Sequence, residues 1–343
     1  MAGSRGSSLR RYAITRLALV VPMLFIVLTM VFLLMRVAPG DPISASLGGH
    51  VPPEVVNKIK DELGYDRPIL VQYKEYLGNI ARGDFGTTIT DRRSVGDIIV
   101  VNGAATLELT FYAMIVAIVV GVTFGMLAGR YRDTWIDGGG RLFGIFIYAT
   151  PVFFLGLMAQ LFFGSYLGWL PTSDRASPLV DATLQTHTHI YTIDTLWNGD
   201  WDAFVDVVKH LILPAVTLGL VTAGVFIRLV RVNVIRTMKD DYIEAARARG
   251  IDERSVVYHH AFRNALVPVI TVVGLTVALL LSGAVLTETT FNWPGIGNEL
   301  IQYLNARDYI GVQGLVTFFA VVVVLCSLAV DIINALIDPR VRY

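Results

Sequence analysis

A chain of 343 residues that is 54% hydrophobic and only 16% charged, with a mean hydropathy of +0.58, is far short of the roughly 25% charge of soluble domains. Composition therefore excludes a soluble globular domain and indicates an integral membrane protein. The 28 basic and 28 acidic residues cancel to a formal net charge of zero, so overall charge identifies no partner and only its distribution is informative. The single cysteine, Cys326, lies in an apolar run and is expected to be a small buried hydrophobe with no internal disulfide.

Residues 1–16 are polar and carry Arg5, Arg10, Arg11 and Arg16, and a charge-free run at 17–35 follows. That run is long enough to span a bilayer. It is also too long for a removable leader and lacks a small-residue cleavage site after it. Arg36-Val37-Ala38-Pro39-Gly40-Asp41-Pro42 stops it, because prolines flanking a glycine cannot continue a helix. Two amphipathic stripes come next: Val55, Val56, Ile59 and Leu63, stopped by Gly64, then Leu70, Tyr73, Leu77 and Ile80, with Asp66 as cap and Pro68 opening the helix. They predict an ordered helical cap over residues 38–100.

Further charge-free runs occur at 109–129, 142–170, 211–227, 265–287 and 310–330. With the first, at 17–37, they predict six spans, the later five near 104–129, 141–168, 209–230, 264–288 and 310–334. Pro22, Pro151, Pro214 and Pro268 fall inside or at the ends of spans, where neighbouring helices can satisfy the freed carbonyls. The spans are rich in valine, alanine and glycine, which permits close packing.

Basic residues set the orientation. Segments 130–141 and 228–263 hold Arg130, Arg132, Arg141, Arg228, Arg231, Arg236, Lys239, Arg247, Arg249, Arg254 and Arg263. The connection 168–209 holds only Arg175 and Lys209 beside six aspartates. The basic loops are expected inside, and with them both termini (1–16 and 338–343) and the loop 231–263. Trp169, Trp201 and Trp293 then fall at the outer interface. Trp197, Trp201, Phe204, Val205 and Val208 share one helical face, fitting either a surface helix or the first turns of the fourth span.

Ionisable groups near the spans are Arg36, Glu108, Glu288 and Asp331. All sit toward span ends, whereas an ion-coupled transporter would keep them near the midplane. No P-loop, HExxH or GxSxG motif occurs. His187 with His189, and His259 with His260, lack partners at metal-ligand spacing, so no metal or cofactor is expected in this chain.

One polar stretch stands out between the apolar runs: Asp240-Asp241-Tyr242-Ile243-Glu244-Ala245-Ala246-Arg247-Ala248-Arg249-Gly250. Aspartates suit a helix start, glycine suits the left-handed position after a helix end, and the alanine pair is expected to form a flat ledge. The helix between is too short to cross a bilayer. Either it is a plain polar connector or it is a docking element at the membrane surface. A membrane path with a docking helix and no engine of its own points to a permease powered by separate ATPase subunits.

These residues also resemble a known family. Glu244-Ala245-Ala246 followed three residues later by Gly250 resembles the EAA loop of membrane subunits of binding-protein-dependent ABC importers. Further blocks resemble the dipeptide/oligopeptide branch, and within it the subunit with the large first outer loop. They are Arg36–Pro42, Leu63-Gly64-Tyr65-Asp66-Arg67-Pro68 with Gln72-Tyr73, Gly83-Asp84-Phe85-Gly86, His260–Pro268, Phe291-Asn292-Trp293-Pro294-Gly295-Ile296-Gly297, and Asp338–Tyr343. The proline corresponding to the general importer pattern is Pro268, eighteen residues past Gly250, as in the peptide branch.

The resemblance implies an all-α, six-span type I importer permease in the bacterial or archaeal cell membrane, with domain 101–337 carrying the transmembrane core. It implies a homologous second permease, two ATPase subunits holding ATP and magnesium, and an external substrate-binding protein. Tyr242, Glu244, Ala245, Ala246, Arg247 and Gly250 are the implied ATPase-coupling residues. Peptide is the expected cargo; nickel complexes, glutathione or oligosaccharides are the alternatives within the family, and an ion-coupled secondary transporter the alternative outside it.

Overall fold

The computed structural model describes residues 3–37, 42–46, 52–62 and 64–337. Among them the chain is helical, with one isolated bridge between Thr87 and Ser94 and no strand. The first helices are α1 (Gly3–Val37), α2 (Pro42–Ser46), α3 (Pro53–Glu62) and α4 (Ile69–Ala81). Then come α5 (Val95–Arg130), α6 (Trp135–Ala149), α7 (Val152–Ala159) and a π-helical turn at Gln160–Tyr166. Short α8 (Pro178–Thr183) and α9 (Tyr191–Trp197) precede α10 (Trp201–Thr237) and α11 (Asp241–Ala248). After α12 (Glu253–Ser255) a second π-turn, Val256–Ala261, leads to α13 (Phe262–Ala265), α14 (Val267–Gly283) and α15 (Val285–Thr290). The last two are α16 (Ile296–Asn305) and α17 (Tyr309–Ile337).

Among the described residues four single helices are long and apolar enough to cross a membrane: Ile14–Arg36, Val95–Arg130, Trp201–Thr237 and Tyr309–Ile333. Two bent pairs raise the number to as many as six. Trp135–Ala149 turns by 100° into Val152–Tyr166, and Glu253–Ala265 turns by 50° into Pro268–Leu281. Pro151 lies in the first break and Pro268 opens the helix after the second; proline has no amide hydrogen for the helix ladder. Thr150, just before Pro151, is extended (φ −79°, ψ 126°), as a residue preceding proline prefers.

Several boundaries differ from the sequence expectation. Helix α1 starts at Gly3, well inside the polar segment assigned to a tail. Helix α5 starts at Val95, ahead of the apolar run, so it includes residues 95–100 and carries Glu108 inside it. Trp201, Phe204, Val205 and Val208 are the opening turns of the long apolar helix α10 rather than of a separate surface helix; Trp197 belongs to α9.

The chain folds into two compact units. The first comprises Met1–Thr106, Leu281–Val285 and Pro294–Tyr343. Here α1 packs along α17, with Arg16 paired to Asp331 at 3.1 Å. Helix α4 folds back onto α1. Thr29 and Tyr73 share a 2.6 Å hydrogen bond, and the Phe32 ring lies 5.1 Å from Tyr73 and 5.5 Å from Tyr76. Tyr76 is hydrogen-bonded to Thr317 of α17 at 2.8 Å.

Arg36 ends α1 with its guanidinium 4.3 Å over the Tyr65 ring, donating to Gln72 Oε1 at 2.9 Å and to Tyr65 OH at 3.1 Å. Tyr73, Leu77 and Ile80 are half-buried as their stripe requires, but Leu70 is 77% exposed. Asp66 does not cap α4; Pro68 occupies that position and no side chain caps it. Gly64 takes a left-handed φ of 68° past α3. Leu63 and most of the Arg36–Pro42 block, like the closing 338–343, lie outside the described residues.

Val95, Ile98, Ile296, Tyr303, Val312 and Leu315 form the core of this unit. Beside it the loop 87–94 is fastened by buried Asp308, whose carboxylate accepts from the amides of Ile89 (2.6 Å) and Thr90 (2.9 Å) and from the Thr90 hydroxyl (2.9 Å). Tyr303 OH donates to Asp91 at 2.9 Å. Burial first, and the Asp91 carboxylate second, raise the Tyr303 phenol above its ordinary pKa.

The second unit comprises Leu107–Leu280 and Leu286–Trp293. Its centre is α10, which is packed by α5 and α6. On α5, Gly121, Gly125 and Gly129 repeat at four-residue spacing, one helical face. A Cβ at Gly125 would sit 2.8 Å from Ile227 O and from Val230 Cβ. Only glycine permits so close a helix crossing. On α6, Gly144 meets Ile227, and Gly224 of α10 meets Tyr148. Cys326, in the first unit, is half-buried rather than buried.

Candidate docking site

Helix α11 follows α10 after only Met238, Lys239 and Asp240. Backbone bonds bridge the step: Met238 N to Val234 O (2.9 Å), Asp240 N to Thr237 O (3.1 Å) and Ile243 N to Asp240 O (2.9 Å). Asp240 takes the N-cap position with extended geometry (φ −76°, ψ 147°), but its side chain makes no capping hydrogen bond. The negative charges of Asp241 and Glu244 in the first turn still suit the positive end of the helix dipole.

Two side chains on one face hold the helix down. Ile243 is fully buried and Ala246 nearly so; they pack with Val256 and Ala261 of the second π-turn, flanked by Met238 and Ile251. The alanine pair is therefore split. Ala246 belongs to this small core and only Ala245 is exposed, since adjacent helix residues point about 100° apart. Tyr242 is 39% exposed, and its hydroxyl accepts from Asn264 Nδ2 at 2.8 Å.

The far end closes as a Schellman motif. Gly250 N bonds to Arg247 O (2.9 Å) and Ile251 N to Ala246 O (3.3 Å), with Gly250 at φ 76°. Ile251 contacts the same core, so the turn is both hydrogen-bonded and packed. Arg247 donates to Glu253 beyond the turn, at 3.0 and 2.8 Å, rather than pairing with Glu244. Everything else on the helix is exposed, with Glu244 and Ala245 at its middle between Tyr242 and Arg247, and Asp241 and Ala248 at its ends. Sequence reading missed the Ile243–Ala246 anchor, although its three-residue spacing is a visible signal, and missed Glu253.

Residues 121–343 match the family of binding-protein-dependent transport system inner membrane components. Residues 9–110 match the N-terminal part of the membrane component of such systems. The chain belongs to this permease family. It is 37% identical to a dipeptide transport system permease of Alkalihalophilus pseudofirmus, over 97% of this chain and 99% of that one. It is 40% identical to a di/tripeptide transport system permease of Pseudomonas aeruginosa, over 96% and 97% respectively. A glutathione transport system permease of Salmonella typhi is 34% identical over 97% of this chain and 99% of its own.

The permease carries a second polar cluster in the same unit. Glu108, fully buried, accepts from Arg175 Nε at 2.8 Å and from the amide (2.8 Å) and hydroxyl (2.7 Å) of Thr192. Arg175 also donates to His189 O at 2.7 Å, and its guanidinium lies 3.8 Å over the Tyr191 ring. Burial, then the hydrogen bond to Asp181, push the Tyr191 phenol up to about 12. Trp293 is fully buried, 5.8 Å from the Arg175 guanidinium. Each charge in this cluster has a partner, which fits a structural tie. Among the described residues no group of His, Cys, Asp and Glu could hold a metal ion.

Proposed function

We propose that this permease forms half of the membrane path of a peptide importer, with six spans, both termini cytoplasmic and the segment 38–100 as an external cap. Its location is the cell membrane. Dipeptide and di/tripeptide permeases matching nearly end to end support peptide as cargo. A second permease of the same kind completes the path, an external binding protein delivers the peptide, and two ATPase subunits hold ATP and magnesium. This chain itself needs no cofactor.

The observation that carries this reading is the construction of α11. The helix is short, anchored by Ile243 and Ala246 on its inner face and locked at its end by Gly250, and leaves Glu244 and Ala245 exposed. Such a helix can be pushed as a rigid body. Glu244, Ala245 and Ala246, with Gly250, Tyr242 and Arg247, are the coupling residues. When the ATPase subunits close, α11 is displaced and the spans turn between inward- and outward-facing; the permease passes on motion and performs no covalent chemistry.

The test is ATP hydrolysis and peptide uptake in the complex reconstituted with its partners. A Cβ at a left-handed position costs on the order of 1–2 kcal/mol, so Gly250→Val displaces the helix end. Glu244→Lys places a positive charge at the positive end of the helix dipole. Both variants should insert and accumulate normally yet lose uptake and the stimulation of ATP hydrolysis by loaded binding protein. Normal stimulation in both would remove α11 from the path of coupling.

A further inference from the structure

Asp137 on α6 is fully buried and carries a charge, yet nothing in the docking site uses it. Arg231 of α10 grips it from the side, Nε to Oδ1 at 2.6 Å and Nη2 to Oδ2 at 2.8 Å. The Asp133 amide donates to Oδ2 at 3.1 Å, and Arg141 stands 3.7 Å away on the next turn of α6. Paired donors on a planar carboxylate fix angle as well as distance. Farther along the same two helices, Gly144 and Gly224 bring the backbones together: a Cβ at Gly224 would lie 3.0 Å from Gly144 O. The α6–α10 contact is thus held by a charged clamp at one end and close backbone packing at the other.

The position of the clamp is informative. Arg231 stands six positions before Thr237, the last residue of α10, about 9 Å along the axis, and the hydrogen-bonded step into α11 follows at once. At the other end, α6 stops at Ala149, where the chain turns by 100° into α7. A break of two residues between rigid helices is where a hinge can act.

We propose that Asp137 and Arg231 are positioning residues that make α6 move with α10, so that displacement of the docking helix reaches the bend at Thr150–Pro151. This rests on α11 being the coupling helix. Its own content is the route: without the clamp α11 still docks and still senses the ATPase, but its movement is not delivered to the broken span.

The test uses the complete reconstituted complex and two readouts, binding-protein-stimulated ATP hydrolysis and peptide taken up per ATP hydrolysed. In Asp137→Asn the stimulated hydrolysis should persist within about twofold while uptake per ATP falls at least about tenfold. Unchanged uptake per ATP, or loss of stimulated hydrolysis along with uptake, overturns the proposal.

Because a broken buried pair can prevent folding, a second form restores the link covalently. Asp137→Cys with Arg231→Cys, in a Cys326→Ala background, is bridged by a short bis-methanethiosulfonate that reductant later removes. The bridged complex should recover uptake per ATP and lose it on reduction, on the same folded molecules. A ratio indifferent to the bridge overturns the proposal. Failure of the docking reading itself shows separately, as undiminished stimulation in Gly250→Val.

Discussion

Arg247 and Glu253 form a two-pronged ion pair across the turn closed by Gly250, at 3.0 and 2.8 Å. The pair draws Arg247 away from Glu244, which lies on the helix turn before it and remains exposed. It also tethers α11 to α12, the segment that leads into the π-turn beneath it. The pairing has a measurable consequence. Both partners are solvent-accessible, with side chains 40% and 55% exposed, and exposed pairs contribute about 0.2–1 kcal/mol. Arg247→Ala should therefore lower stimulated ATP hydrolysis by no more than about fivefold, a partial loss, while Glu244→Lys abolishes it. Equal losses in the two variants would show that Arg247 matters to coupling as much as Glu244 and is not merely an exposed tether.

The Glu108–Arg175 cluster should behave in the opposite way, because it is sealed from solvent. Arg175→Met strands a buried carboxylate and is expected to cost about 3–5 kcal/mol, read as a large fall in the thermal midpoint of the detergent-solubilised protein. Adding Glu108→Gln removes the stranded charge and should recover much of the loss. A double variant no more stable than Arg175→Met would mean that the charges were not acting on each other.

The glycine face of α5 gives a steric contrast. At Gly125 a side chain has no room against Ile227 and Val230, so Gly125→Val should destabilise by about 1–3 kcal/mol through overpacking. At Gly138, on α6, nothing lies within 4 Å of an added Cβ. Gly138→Ala should leave the thermal midpoint unchanged or raise it, adding up to about 1 kcal/mol of stability, since alanine favours helix. Equal midpoints for the two variants would contradict the close α5–α10 crossing.

Orientation is checked by labelling. In a Cys326→Ala background, Asp181→Cys should react with an impermeant thiol reagent applied to intact cells, and Arg247→Cys should not. Labelling at Arg247→Cys alone would invert the topology drawn from the basic loops.

The one-dimensional pattern determined where apolar runs lie, where charge collects and where prolines interrupt. These are local properties of the chain, and they marked the four long apolar helices, the two bent helix pairs and the Asp240–Gly250 helix. The left-handed Gly250 was legible for the same reason: a helix end needs a residue without a Cβ penalty, and one stood at the right place. Tertiary structure decided what depends on residues distant in sequence. Glu108 looks like a span-end carboxylate until Arg175 and Thr192, 67 and 84 positions away, close around it. That Trp293 is buried beside Arg175 is likewise set by packing, 118 positions away in the chain. Ala245 and Ala246 are identical in sequence terms; the π-turn beneath α11 makes one a core residue and leaves the other exposed. Asp137 finds Arg231 94 positions on. Hydropathy and propensity act between near neighbours along the chain, whereas the partner of a buried charge is set by which helices meet, and that is fixed only when the whole chain packs.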